Sequence, residues 1–384
     1  MVKVFIIMSN LFGGGAERVM TDAFNHFPDD YDARIVTLDD TIIRYPIKKE
    51  PISLHFFRRE WLPQTIYCLW KIPAGIVKYS LLLRKEKPDV SLSLLPVENI
   101  VNILACRIIG TKAILSIRNN PFGRYIDPFS YQLYNLSLNL CKMWEIPVIT
   151  NSQEIASLLS VKYTIKQVHV IPNPKDLETI NNHADEPIDE EFFNTDVPII
   201  ITVGRLVEIK GQWHLLRVFA ELQKSNKCKL VLCGDGDLRD KLEALAHELH
   251  IVNDVLFLGW CENPHKYVKK STIFAYTSLV DALPSAVIEA LIVGCPIVSA
   301  DCDYGPREIL HDGEYGILSM ALNKENFSAS EPLTLAELEL LANIKLLLEN
   351  DNLRKSYIEM SRAYIDIYDI KKTASKYIDI FNCR

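Results

Sequence analysis

The chain has 384 residues, 48% of them hydrophobic, which exceeds what one core usually takes and points to two domains. A formal charge of -7 argues against sequence-independent nucleic-acid binding, which needs an extended basic surface. Residues 1–150 nevertheless carry 18 basic and 14 acidic side chains, a net of +4, leaving -11 for the remainder.

Val2–Met8 is a continuous apolar run, the pattern of a parallel strand buried on both faces, and it is too short for a secretory apolar region. Gly13, Gly14 and Gly15 follow, and then Ala16, Val19, Met20, Ala23, Phe24 and Phe27 recur at helical spacing, predicting strand, glycine loop and helix. Such a loop lets backbone N–H groups approach a phosphate, and it equally serves a tight turn. A dinucleotide fingerprint is the competing reading, but Arg18 stands where its third glycine belongs.

Residues 44–87 hold ten basic side chains against three acidic ones, interleaved with Phe56, Phe57, Trp61, Tyr67, Trp70 and Tyr79. This composition suits peripheral contact with an anionic membrane, and also an ordinary solvated helix packed by its aromatic side. Pro63, Gln64, Lys71, Pro73 and Lys78 interrupt it as a membrane span. Nine cysteines with neither a CxxC pair nor zinc-ligand spacing read as reduced thiols of a cytoplasmic protein.

Strands are predicted over 34–38, 90–94, 113–117, 148–150 and 168–171, alternating with helices, hence a doubly wound parallel sheet. Arg118 and Asn119 end one of these strands, placed to face an acceptor or sugar, or to hold a turn. The alternation lapses over 173–197, rich in Asn, Asp, Glu and Pro, which predicts a linker between a domain at 1–172 and one at 198–362. It restarts with strands at 199–203, 229–233, 255–258, 272–276 and 296–300, and helices at 212–222, 238–249, 263–270 and 284–293. A final helix within 363–384 is expected to return to the first domain.

Gly204, Arg205 and Lys210, in VGRLVEIKG, leave the first strand of this second sheet at the edge where open α/β sheets bind ligands. Arginine offers a fork to phosphate oxygens and lysine a point charge, although solvated loop cations fit the same pattern. In TSLVDALPSAVIEALIVGCPIVSA, Pro284 suits a first helical turn with Asp281 as its cap and Glu289 inside. Eight helical residues would set those two carboxylates about 12 Å apart, flanking an anion site at the helix start. Glu308 in DYGPREIL reads as a cap of the next helix, and Trp260 reads as core more readily than as a stacking face for a base.

Together VGRLVEIKG, CGDGD, FLGW, DALPSAVIEALIVGCPIV and DYGPREIL resemble the retaining GT-B glycosyltransferases of family 4 over most of residues 199–320, and GGGAER resembles the family's glycine loop. The family's acidic pair reads Glu, seven residues, Glu; here Asp281 takes the first place. The resemblance implies an α/β GT-B fold, two doubly wound Rossmann-like domains with parallel sheets facing across a cleft, the N-terminal one binding acceptor. It implies that Arg205 and Lys210 hold the donor diphosphate, Glu289 the ribose and Asp281 the hexose, with Gly14, Gly15, Gly204, Leu283 and Pro284 lining the donor site. Arg118 and Asn119, in an R-N-x-P form similar to enzymes of bacterial surface polysaccharide assembly, fall on the acceptor or sugar side. A UDP-sugar co-substrate, no metal or other cofactor, and a saccharide acceptor linked to polyprenyl diphosphate are implied, with a location in the cytoplasm or on the inner face of its membrane. A sugar-nucleotide epimerase, a phosphorylase and a catalytically silent nucleotide-sugar-binding partner subunit remain alternatives.

Overall fold

The computed structural model describes residues 1–11, 15–39, 43, 47–56, 64–118, 127–325 and 327–383, with 15, 16 and 64–69 described at the backbone. They form two compact units, Met1–Lys175 with Tyr368–Arg384, and Asp176–Ile367.

The first unit runs β1 (Val2–Met8), α1 (Gly15–Asn25), β2 (Tyr31–Asp39), β3 (Ile52–Phe56), α2 (Gln64–Glu86), β4 (Val90–Ser93), α3 (Pro96–Ile109), β5 (Lys112–Ile117), α4 (Pro128–Trp144), β6 (Val148–Thr150), α5 (Gln153–Tyr163) and β7 (Val168–Val170). Its seven strands are all parallel, in the order β3-β2-β1-β4-β5-β6-β7. The second unit begins with α6 (Leu177–Ala184), then β8 (Ile199–Val203), α7 (Gln212–Leu222), β9 (Lys229–Cys233), α8 (Arg239–Glu248), β10 (Val255–Gly259), α9 (His265–Lys270) and β11 (Ile273–Tyr276). It continues with β12 (Val280–Asp281), α10 (Ser285–Ile292), β13 (Ile297–Ala300), β14 (Asp303–Tyr304), α11 (Gly305–Ile309), β15 (Ile317–Ser319), α12 (Leu335–Glu349) and α13 (Asp351–Tyr364). Six parallel strands follow the order β10-β9-β8-β11-β13-β15, and β12 pairs with β14 beside them. Each unit is thus a doubly wound parallel α/β structure, the architecture that the GT-B reading expects of each half.

Parallel strands covered by helices on both faces have no polar side, which is why Val4–Met8, Ile199–Ile201 and Phe274–Ala275 are buried runs. The strands missing from the sequence reading are β3, β12, β14 and β15; Ser53 and His55 interrupt the apolar run of β3, and β12 and β14 are two residues each. The last helix, α14, spans Ile370–Asn382 in the first unit, where Tyr377 and Phe381 join Phe24 of α1 and Phe27, just beyond its end, over β1. Phe27 meets Phe381 edge-on at 5.8 Å between ring centroids. Asp369 caps this helix, and the Lys112 ammonium closes its far end on the carbonyls of Ile380, Phe381 and Cys383.

The segment 173–197, expected as a linker, contains α6, and the boundary between the two units falls between Lys175 and Asp176. Asp176 caps α6 through a 3.0 Å bond from the Thr179 N–H, and Ile180, Ala184 and Phe193 are buried in the second unit. The apolar residues here are scattered among polar ones and produce no periodicity; Phe193 packs on Tyr267 at 5.1 Å.

A buried ionic cluster fixes α7 on α12. Glu337, fully buried, receives Arg217 Nε at 2.8 Å and His214 Nδ1 at 2.8 Å, and completes a capping box with Thr334. Burial pushes its carboxyl up, but hydrogen bonds from His214 and Arg217 outweigh that and hold it at about 2, from the usual 4.5. The ionised carboxylate therefore adds stability that is complete above pH 4.5 and lost as pH falls toward 2. Glu337→Ala, which strands the Arg217 charge, is expected to destabilise the second unit by about 3–5 kcal/mol in urea unfolding, and to flatten the acid limb of its stability curve.

Candidate functional site

In the second unit the strand order reverses between β8 and β11, so the chains leaving their carboxyl ends diverge and open a crevice. From β8 the chain enters Gly204, Arg205 and Leu206. The neighbouring CGDGD segment anchors this loop: Gly204 N–H donates to Cys233 O and Leu206 N–H to Asp235 O, both at 2.9 Å. Gln212, at the start of α7, donates to Arg205 O at 2.9 Å.

The loop ends in a 3-10 turn, Glu208–Lys210, and at Gly211 with φ of 61°. A Cβ here would lie 2.4 Å from Thr277 O, so the close approach of the two loops requires glycine. They are laced together: Thr277 Oγ1 donates to Lys210 O at 3.1 Å, Ser278 Oγ to Ile209 O at 3.0 Å, and Leu279 N–H to Ile209 O at 2.9 Å.

That lacing closes a triangle of side chains. Lys210 Nζ donates to Asp281 Oδ2 at 2.5 Å and to Tyr276 Oη at 2.9 Å, while Tyr276 Oη donates to the same Oδ2 at 2.6 Å. The lysine and aspartate side chains are 19% and 24% exposed, open enough for a ligand to reach. Tyr276 is buried, and burial followed by the Asp281 charge raises its pKa well above 10.0, so it remains a hydroxyl.

Asp281 does not cap the following helix. It lies in β12, paired with Tyr304 of β14, and α10 begins only at Ser285. Pro284 holds the N-cap position with ψ of 111°, because its ring fixes φ but leaves ψ free to stay extended. The path from Asp281 to Glu289 is therefore half strand and loop, not eight residues of helix. The N-cap residue of α10, Pro284, makes no side-chain cap bond, and such a terminus suits an anion. Gly305 seals the approach of the 303–306 segment, since a Cβ there would fall 2.4 Å from Pro284 Cδ.

Glu289, on α10, faces His265 Nε2 at 3.4 Å, and the buried His265 ring stacks on His183 with 6.2 Å between centroids. Arg205 is exposed and its guanidinium takes no carboxylate among the described residues. Leu283 and Pro284 bury their side chains, so they shape the site through the backbone. Glu308 sits inside α11 and does not cap it, and Trp260 is exposed at the end of β10 where the sequence suggested core. Among the described residues no three His, Cys, Asp or Glu are grouped to hold a metal.

Arg118 belongs to the first unit. Its guanidinium is buried, bonded to Ser116 Oγ and Asn173 Oδ1 at 3.0 Å and lying over the Tyr377 ring, and burial lowers its pKa to about 9. Gly15 opens α1, whereas Gly14 and Asn119 lie outside the described residues. Sequence reasoning missed Tyr276 and His265. A tyrosine at the carboxyl end of a switch-point strand is the signal that was available for the first; nothing in the sequence marked the second.

Residues 184–364 match the family model of Glycosyl transferases group 1. An uncharacterised glycosyltransferase of Methanocaldococcus jannaschii is 30% identical, over 85% of this chain and 87% of its own. A Campylobacter jejuni N-acetylgalactosaminyltransferase, named for an N-acetylgalactosamine-N,N'-diacetylbacillosaminyl-diphospho-undecaprenol acceptor, is 28% identical over 98% of this chain and 100% of its own. Among solved structures, Anabaena HepE in complex with UDP superposes with a TM-score of 0.77 at 17% identity, covering 99% of both chains.

Gly211→Ala adds a Cβ in a left-handed conformation against Thr277 O. It is expected to lower stability by about 1–3 kcal/mol in chemical denaturation, through separation of the two loops.

Proposed function

The chain belongs to the group 1 glycosyltransferases, and on that premise we propose a retaining enzyme of the family 4 kind that uses a UDP-sugar as co-substrate. It moves a hexose or N-acetylhexosamine to a saccharide acceptor carried on a polyprenyl diphosphate, in assembly of a bacterial surface polysaccharide such as capsule or O-antigen. The observation that carries this reading is the Lys210–Asp281 pair beside the start of α10, at the strand-order reversal. Cation, carboxylate and helix N-terminus meet there, as a sugar joined to a diphosphate requires.

Arg205 and Lys210 neutralise the diphosphate, and the α10 terminus adds its N–H groups. Glu289, held against His265, accepts the ribose hydroxyls, and Asp281 accepts a hydroxyl of the sugar. The acceptor oxygen bonds to the anomeric carbon on the face from which the diphosphate departs. The carbon–oxygen bond to the diphosphate breaks, and the departing phosphate oxygen takes the acceptor's proton. Trp260, exposed on the same sheet edge, offers a face to the nucleobase.

Contact with an anionic membrane is supported by α2, the helix within residues 44–87. Trp70, Val77 and Leu81 are exposed along one stripe, with Arg84 and Lys85 beside it. Lys71 takes no part, being buried on Asp39 at 2.7 Å, and Arg44, Phe57, Arg58, Arg59 and Trp61 lie outside the described residues. No helix among the described residues is long and apolar enough to cross a membrane.

Release of UDP from a panel of UDP-sugars, with a lipid-linked saccharide extract as acceptor source, tests the activity. One donor should be turned over, and Glu289→Ala and Lys210→Ala should each lower kcat/KM by about a hundredfold or more. Donor binding without release across the panel would count against transfer. For the membrane face, the Val77→Glu, Leu81→Glu double variant is expected to sediment at least about fivefold less with phosphatidylglycerol vesicles, and unchanged sedimentation would exclude α2 as the contact.

A further inference from the structure

The lysine that the reaction needs is engaged by Tyr276 and Asp281. Both partners of the Asp281 carboxylate among the described residues, Lys210 and Tyr276, bind the same oxygen, Oδ2. A diphosphate that recruits Lys210 must draw it from Asp281. A partly buried carboxylate that loses its cation is costly unless another donor stays on it. Tyr276 is that donor: its hydroxyl is 2.6 Å from Oδ2, it cannot itself carry charge in this setting, and it sits on the rigid end of β11. Oδ1 takes no partner among the described residues and is left for a sugar hydroxyl.

The same geometry explains the shorter acid. With Oδ2 at 2.5 Å from Nζ and 2.6 Å from Oη, the carboxylate is in contact on both sides. A glutamate would carry it roughly 1.5 Å further, into the phenol or the ammonium.

Resting on the reading of this crevice as the donor site, we propose that Tyr276 is a positioning residue for the transfer. Its hydroxyl keeps Asp281 oriented while Lys210 passes from that carboxylate to the donor diphosphate, and its presence is what matches the site to aspartate at position 281. Tyr276 and Asp281 are therefore a coupled pair, in which each residue suits only the other.

A double-mutant cycle tests this by UDP release, with kcat and KM measured for the native chain, Asp281→Glu, Tyr276→Phe and the double variant. Each single change should lower kcat by roughly tenfold with KM for the UDP-sugar held within about twofold, and the double variant should lose no more than Tyr276→Phe alone, about tenfold, because the longer acid no longer meets the phenol while the donor is already gone. A merely structural tyrosine does not produce that non-additivity. Losses that multiply to about a hundredfold in the double variant, or a native kcat in Tyr276→Phe, overturn the proposal. Should Tyr276→Phe melt below the assay temperature, Asp281→Glu alone decides, a kcat at or above the native value being the adverse result. The failure of the underlying reading looks different: a native chain without UDP release, or full activity in Lys210→Ala, removes the donor site and this inference with it.

Discussion

All strands of a parallel sheet end on one edge, and wherever their order reverses the connections to either side part company. In the second unit that reversal lies between β8 and β11, and the site follows from it. Lys210 and Asp281 are 71 residues apart in the chain, yet each lies a few residues beyond one of these two strands, and their side chains meet at 2.5 Å. Neither loop is rigid by composition. They are rigid because Gly211 admits the Thr277 carbonyl and because Ile209 and Lys210 offer their carbonyls to Thr277, Ser278 and Leu279.

Support extends outward from that edge. Helix α7 begins just after Lys210, and its His214 and Arg217 are locked on Glu337 of α12, so the loop is held at its far end by a buried ionic cluster. At its near end the CGDGD segment binds the backbone of Gly204 and Leu206, leaving the Arg205 side chain outside. Opposite, the small β12–β14 sheet and the fit of Gly305 under Pro284 fix where α10 starts. The pattern is general for such sites: fixed backbone below, a few unsatisfied polar groups above.

The first unit uses the same architecture for different ends. Its buried charges are largely committed to the fold, with Lys71 on Asp39 and Arg118 among Ser116, Asn173 and Tyr377. The surplus of basic residues read along 44–87 thus divides. Lys71 turns inward, Lys78 reaches the Leu54 carbonyl and the Phe56 ring, and Arg84 and Lys85 remain on the surface beside the Trp70–Val77–Leu81 stripe. Composition along a segment reports how many charges there are. Which of them face solvent depends on the helix's contacts.

The sequence by itself determined the two doubly wound units, most of their strands and the site-forming segments, because buried parallel strands are uninterrupted apolar runs and their loops carry glycines where backbones touch. Strands 148–150, 199–203 and 229–233 and the helix 212–222 fall where periodicity placed them. Arg205, Lys210, Asp281 and Glu289 stood out in the sequence as candidate charges for a ligand. Only the tertiary structure decided that Asp281 is a strand residue tied to Lys210 and not a helix cap, that Tyr276 bridges the two, that His265 backs Glu289, and that a helix forms within 177–184. Each of those depends on contacts between segments tens of residues apart, where a single hydroxyl, ring or methyl group leaves no period for a sequence pattern to reveal.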